Sequence, residues 1–133
     1  MPFFFIGAAS AFFGSMITFA FGMWMESMTF LMVAMGTDYV TGVAASIKEG
    51  KGLNSSFGAW GIARKGLMLL VILVAHRIDI LLDVSNNMTM GAAIYFYIAN
   101  ELISITENYG RLGLPLPEQL RRMIEVLQDK NRD

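Results

Sequence analysis

Several ionisable side chains of this sequence interrupt stretches that are otherwise apolar. Asp38 interrupts one stretch, HRID (residues 76–79) a second, and Asn100 with Glu101 a third. Such groups can relay protons, line a pore or hold helices together, because each costs free energy in an apolar environment unless it is paired. Arg77 is the expected partner of Asp38 or Glu101, since a guanidinium binds a carboxylate through two parallel hydrogen bonds.

The interrupting residues predict one intramembrane polar network, with members at similar depth in three consecutive segments. This network would either clamp the helices of one subunit or face water in an assembly. The single histidine is expected to be a hydrogen-bonded member rather than a metal ligand, because the chain has no second His and no Cys to complete a site. The predicted members are Asp38, His76, Arg77, Asp79, Asn100, Glu101 and Ser104.

The composition favours a membrane protein. Of the 133 residues, 55% are hydrophobic and only 16% are charged, and the mean hydropathy is +0.52, which is too apolar for an ordinary soluble domain. No phosphate loop, zinc-binding helix or nucleophile with a base is visible, so neither an enzyme nor a metal or other cofactor is predicted. Nucleic-acid binding is not predicted either, because acidic residues alternate with the basic residues of the tail.

Four apolar segments are expected to form the helices of a single membrane domain over residues 1–133. Segment 2–25 carries no charge and exceeds the roughly 20 residues that cross a bilayer. It is predicted to be a retained helix rather than a signal peptide, because no basic region precedes it. Segments 28–47, 66–84 and 90–106 follow, and the polar turn DVSNNMT joins the last two. The predicted fold is therefore an all-α integral membrane protein with three to four transmembrane helices.

The basic residues predict the orientation. They concentrate in the loop 48–65 and in the tail 111–133, and the positive-inside rule places both in the cytoplasm. If segment 2–25 spans the membrane, the N-terminus is cytoplasmic as well. In the loop, a serine is expected to cap a helix and two basic residues to reach lipid phosphates at the membrane surface. These surface-loop residues are Ser55, Ser56, Arg64 and Lys65.

The tail is predicted to contain an amphipathic cytoplasmic helix. Leu120, Ile124 and Leu127 recur at steps of four and three, and charged residues fill the positions between them, which is the pattern of a helix with one apolar face. This helix would lie on the membrane surface or pack against a neighbour, and a solvated tail is the alternative.

Four stretches of the chain resemble the toxin secretion/phage lysis holin family in order and spacing. The resemblance covers roughly residues 35–127, and its stretches are DYVTG (38–42), GLNSSFGAWGIARK (52–65), YIANELISITEN (97–108) and GLPLPEQL (113–120). It implies a small, non-enzymatic protein of the bacterial cytoplasmic membrane. Such proteins form homo-oligomers, expected here to be rings, and open large pores that release an endolysin or, in some clostridia, a toxin.

Two other functions are compatible with the same residues. A small proton-coupled transporter or ion channel could use the intramembrane Asp, Arg and Glu residues as a relay. A regulatory membrane partner could instead restrain another pore former. Passage of a folded protein through the membrane distinguishes a holin from both alternatives.

Overall fold

The computed structural model describes residues 1–52 and 55–132, with the backbone alone at 55–57, 128 and 130–132. The described residues form five α-helices, with a short 3₁₀ turn at Ser85–Asn87 before the fourth, so the all-α expectation is confirmed. The first four helices are each long and apolar enough to cross a membrane. The helices are α1 (Pro2–Phe21), α2 (Glu26–Lys48), α3 (Ser55–Leu81), α4 (Met88–Leu112) and α5 (Glu118–Arg132).

Helix α3 differs most from the expected segments, because it begins at Ser55 instead of residue 66. Gly58 and Gly61 weaken the start of this helix, since each costs about 1 kcal/mol relative to Ala. In the structure, these glycines leave space for the side chain of Tyr39. A Cβ at Gly58 would lie 3.3 Å from the hydroxyl of Tyr39, and one at Gly61 would lie 3.6 Å from its ring. The tyrosine of α2 therefore packs directly against the glycine face of α3.

Helix α4 holds the bundle together. It packs along α2 and also contacts α3 and α5, whereas α2 and α3 touch each other only briefly. The apolar side chains of α4 that face inward recur at steps of three and four, which is the spacing of one helix face. The buried core consists mainly of Met28, Leu31 and Met35 of α2, Ile72 of α3, and Met90, Ile94, Ile98 and Leu102 of α4.

The two turns that flank α4 have local causes. The polar turn before it joins the antiparallel helices α3 and α4. It contains positive φ angles at Asp83, Asn86 and Asn87, which Asp and Asn tolerate better than other non-glycine residues. Gly113 ends α4 with a φ of 74°. The positive φ therefore favours glycine, and a Cβ there would also lie 3.2 Å from Nζ of Lys48, which would have to shift slightly.

The first and last helices lie at the periphery of the bundle. The side chains of α1 are exposed until its last turn, and α1 contacts α3. Helix α5 packs against α4 and buries Ile124, with Leu127 partly buried beside it. Leu120, the third member of the expected apolar stripe, is 48% exposed.

The bundle has two chemically different ends. We call the end where α2 and α4 finish the charged end, because Lys48, Glu49 and Arg111 meet there. We call the opposite end, where α1 and α3 finish and α4 begins, the far end. The antiparallel order of α2, α3 and α4 places the start of α3 at the charged end.

Candidate functional site

A lysine between two carboxylates lies near the middle of the bundle. Lys65 Nζ of α3 lies 2.8 Å from Oδ2 of Asp38 and 2.7 Å from Oε2 of Glu101. The side chains are 11%, 6% and 2% exposed, respectively, so this ion pair is buried. We call these three residues the Lys65 cluster. It joins α2, α3 and α4 at one point, and its two carboxylates outnumber its single amine.

An amide completes the bonding of Asp38 on the side away from Lys65. Asn108 Nδ2 donates to Oδ1 of Asp38 at 2.9 Å, to its backbone oxygen at 3.0 Å and to Oγ1 of Thr41 at 2.9 Å. Arg111, one turn further along α4, donates from Nη1 to Oδ1 of Asn108. Hydrogen bonds therefore connect the buried cluster with the charged end.

Two interactions at the charged end fix α2 against α4. Arg111 donates from Nε to Oε1 of Glu49 at 2.8 Å, and this hydrogen bond holds the pKa of the Glu49 carboxyl below its usual value. Lys48 Nζ donates to the backbone oxygen of Leu112, one of the carbonyls that a helix C-terminus leaves without an intrahelical partner. A cation at this position also interacts favourably with the helix dipole.

A cleft of about 290 Å³ leads from the Lys65 cluster towards the charged end. The backbones of Gly42, Gly58 and Gly61 border it, and the absence of side chains there leaves the space open. Ser104 lines its wall on α4. Asp38 and Gly52 are both among the lining residues, so the cleft extends from the middle of α2 to the loop beyond its end. Such a cleft can hydrate the cluster from one side only.

Arg77 does not pair with either carboxylate, so this part of the predicted network is wrong. It lies twelve residues after Lys65 on α3, about 18 Å away at the rise of an α-helix. Its Nη1 donates to the backbone oxygen of Phe19 at 3.2 Å, and its guanidinium carbon lies 4.4 Å from the centre of the Phe19 ring. Arg77 thus caps the C-terminal end of α1.

The neighbours of Arg77 in HRID also join helices at the far end. Asp79 accepts hydrogen bonds from the backbone N–H groups of Thr89 at 3.0 Å and Met90 at 2.9 Å, which are free donors in the first turn of α4. His76 packs against Gly22, where a Cβ would lie 2.7 Å from Cε1 of the imidazole. Nδ1 of His76 is buried without a hydrogen-bond partner among the described residues. We call residues 76–79 the HRID junction.

The remaining predicted site residues occupy different positions. Asn100 is exposed on the outer face of α4, so it belongs to neither group, although it neighbours Glu101. Arg64 is exposed and lines the cleft, whereas Lys65, expected at the membrane surface, belongs to the buried cluster. The side chains of Ser55 and Ser56 lie outside the described residues. The predicted single network is therefore two separate groups with one outlier.

Sequence reasoning missed Thr41, noted Asn108 on a polar stripe with Glu101 and Ser104 without including it in the site, and gave Lys65 the wrong role. The local pattern does not show that Lys65 faces the other helices. Once residues 55–65 are helical, Lys65 lies inside the bundle and is the cation for the two carboxylates. Within the described part of the chain, no group of three His, Asp or Glu residues could hold a metal ion.

The four long apolar helices and their internally paired charges define a multi-pass, all-α membrane protein. The model of the bacteriophage holin family matches residues 15–129, and the chain belongs to this family. The match covers the end of α1 and nearly all of the rest, but leaves out most of α1.

Individual relatives agree with the family match. A probable holin of Bacillus phage phi105 is 38% identical over 71% of this chain and 68% of its own length. An uncharacterized protein of Clostridium perfringens is 45% identical over 90% of this chain and 88% of its own. Another, of Listeria innocua, is 39% identical over 91% and 85%. No solved structure matches the chain.

Proposed function

We propose that the protein is a holin. It oligomerises in the bacterial cytoplasmic membrane and opens pores through which an endolysin or a toxin leaves the cell. The observation that carries this proposal is membership of the bacteriophage holin family over residues 15–129, supported by the probable holin of phage phi105. The action is non-enzymatic, because a pore requires only that polar surface replaces lipid around an aqueous lumen.

The charges support an orientation with the charged end in the cytoplasm. Lys48, Lys51, Arg64 and Arg111 lie at or near this end, whereas the connections at the far end contain Glu26 and Asp83 and no basic residue. An excess of Lys and Arg marks cytoplasmic loops. With four spans in this orientation, both termini would lie in the cytoplasm and α5 would lie at the cytoplasmic surface of the membrane.

The Lys65 cluster supports a route from monomer to pore. In one subunit, Asp38 and Glu101 satisfy Lys65 internally, which lets a chain with charges at bilayer depth remain inserted. The cleft beside the cluster already brings polar groups to this depth. On assembly into a ring, the same surface of neighbouring subunits would face water, where the charges no longer need each other. The HRID junction would keep α1, α3 and α4 connected during this change.

The test is inducible expression in a bacterium that also contains a cytosolic endolysin without an export signal, together with a cytosolic reporter enzyme. A holin produces an abrupt fall in culture density with release of the reporter. The same expression without endolysin should release the reporter without dissolving the wall. Lys65→Met should abolish or mistime lysis at equal membrane levels. The matched control Lys51→Met removes a lysine whose side chain is 70% exposed and should lyse normally.

An ion channel or proton-coupled transporter is the second candidate. The observation that favours it is the surplus carboxylate of the Lys65 cluster at the closed end of a one-sided cleft, an arrangement that can take up a proton. A channel would collapse the membrane potential while the reporter enzyme stays in the cell. Harmless expression with neither effect would instead indicate a regulatory partner of another pore former.

A further inference from the structure

The outer face of α4 carries a polar residue at the middle of the helix. Asn100 lies halfway between Met88 and Leu112 and is exposed. The apolar side chains one turn before and after it, Phe96 and Ile103, are 53% and 38% exposed. Three charged side chains at comparable depth, those of Asp38, Lys65 and Glu101, are paired inside the bundle. Asn100 takes part in none of the hydrogen bonds between described side chains.

An amide at this position cannot be satisfied by lipid, and it lies far from both membrane surfaces. The hydrocarbon core is about 30 Å thick, so a residue at its centre lies roughly 15 Å from either surface. The asparagine side chain is much shorter than that distance and cannot extend to the interface as Lys or Arg can. Hydrocarbon offers neither donors nor acceptors. The side chain therefore requires a polar partner that approaches the outer face of α4 at the same depth.

We propose that this partner is Asn100 of a second copy of the protein, with α4 packed against α4 around a two-fold axis normal to the membrane. A carboxamide both donates and accepts hydrogen bonds, so two of them are complementary to each other. Copies inserted with the same orientation present the residue at the same depth, and a two-fold contact brings identical positions together. Phe96 and Ile103 then pack on either side of the amide pair.

This pair deepens the proposed homo-oligomer and depends on membrane insertion, but not on pore opening. It gives the outer face of α4 a contact of its own, next to the cleft that Ser104 lines one turn after Asn100. Interhelical hydrogen bonds of polar side chains contribute to helix association in membranes. The pair is thus a contact that closed, unassembled subunits can already form.

The chain has no cysteine, so single introduced thiols test the contact directly. Phe96→Cys and Ile103→Cys are each expressed below lytic levels without endolysin, and membranes are treated with a mild oxidant. Both should form covalent dimers. Leu70→Cys, on α3 and 55% exposed, is the matched control for random collision and should form few. The cross-link needs neither a pore nor endolysin. A negative cross-linking result can therefore be distinguished from a failure of the proposed lytic function.

The amide is tested by changing Asn100 in the Ile103→Cys background. Asn100→Leu should reduce the rate of dimer formation about threefold to thirtyfold, the range expected for an interhelical hydrogen bond, whereas Asn100→Gln should largely retain it. Membrane levels and helical content must equal those of the parent. Unchanged cross-linking of Asn100→Leu would overturn the amide pairing. Cross-linking of Phe96→Cys and Ile103→Cys no faster than that of Leu70→Cys would overturn the α4 contact itself.

Discussion

Lys65 and the HRID junction lie on the same helix, α3, and the two regions use the same classes of side chain, yet they solve the burial of charge differently. In the cluster, side chains neutralise one another, and Lys65 bonds to carboxylates from two other helices. In the junction, Arg77 and Asp79 bond to backbone groups at the ends of α1 and α4. Side-chain pairs can be exchanged between subunits, whereas capped helix ends hold one subunit together. The comparison therefore separates a region suited to rearrangement from one suited to permanence.

The largest expected effect is loss of the cation from the cluster. Lys65→Met leaves two buried carboxylates without their partner, and breaking a buried ion pair in this way costs about 3–5 kcal/mol. This loss of stability is measured as the change in the free energy of unfolding in mixed micelles. Circular dichroism follows the unfolding during a denaturing detergent titration. Lys51→Met is the matched control and should change little. A loss below about 1 kcal/mol for Lys65→Met, within the range of exposed ion pairs, would show that the cluster is not a buried unit.

A smaller loss is expected from the junction's carboxylate. Asp79→Ala removes the acceptor from two N–H groups in the first turn of α4, and loss of such a cap costs about 0.5–2 kcal/mol. Asp79→Asn, which keeps one acceptor oxygen, should lose less. The same unfolding titration applies, with Asp129→Ala on the exposed face of α5 as control. If Asp79→Ala destabilised the protein as much as Lys65→Met, the contrast between the two regions would not hold.

A still smaller loss of stability is expected when the packing at the HRID junction is disturbed. Gly22 has a φ of 69° and a Cβ there would meet the imidazole of His76, so Gly22→Ala should cost more than about 1 kcal/mol. Gly14→Ala, where a Cβ meets nothing within 4 Å, is the control on the same helix. Proteolysis rates of α1 in micelles provide a second measurement, because a loosened junction exposes the segment after Phe21. Equal rates for both variants would argue that α1 is not held by this contact.

The smallest effect is expected at the charged end, where Glu49 is partly exposed. Because Arg111 lowers its pKa in the folded protein, the interaction stabilises the fold above the unfolded pKa and is lost as pH falls through the folded one. Its contribution should therefore fade below the ordinary value of 4.5. The unfolding midpoint of Glu49→Gln, compared with the parent between neutral and acidic pH, should converge with it as pH falls. If the difference between the two unfolding midpoints grew as pH fell, the lowered pKa of Glu49 in the folded protein would be contradicted.

The sequence predicts the helical class and most helix positions, because long apolar runs have few other solutions. It also identifies Asp38 and Glu101 as members of an intramembrane site. The partner was misassigned because charge and glycine near residues 58–65 suggest a hinge at the membrane surface, whereas in the structure Tyr39 packs against Gly58 and Gly61 and this part of α3 lies within the bundle. Tertiary contact, absent from any local pattern, decides which cation reaches the carboxylates.

The roles of HRID were beyond local prediction for a related reason. A charged residue in an apolar run indicates that a partner exists but not whether it is a side chain or the end of another helix. Asp79 is close in sequence to its partners Thr89 and Met90. The sequence could therefore have predicted this cap from the position of the turn between α3 and α4. The contact between Arg77 and Phe19 joins residues 58 positions apart, and no spacing reveals it.

The central position of α4 has a consequence for synthesis. This helix contacts α2, α3 and α5, while α2 and α3 touch each other only briefly, and yet it leaves the ribosome after both. During translation, α2 and α3 must therefore wait in the membrane or its insertion machinery with Asp38 and Lys65 lacking Glu101. A chain that stops before α4 should be recognised as incomplete by membrane proteases. The time at which residues 88–112 emerge would then set when a stable subunit first exists.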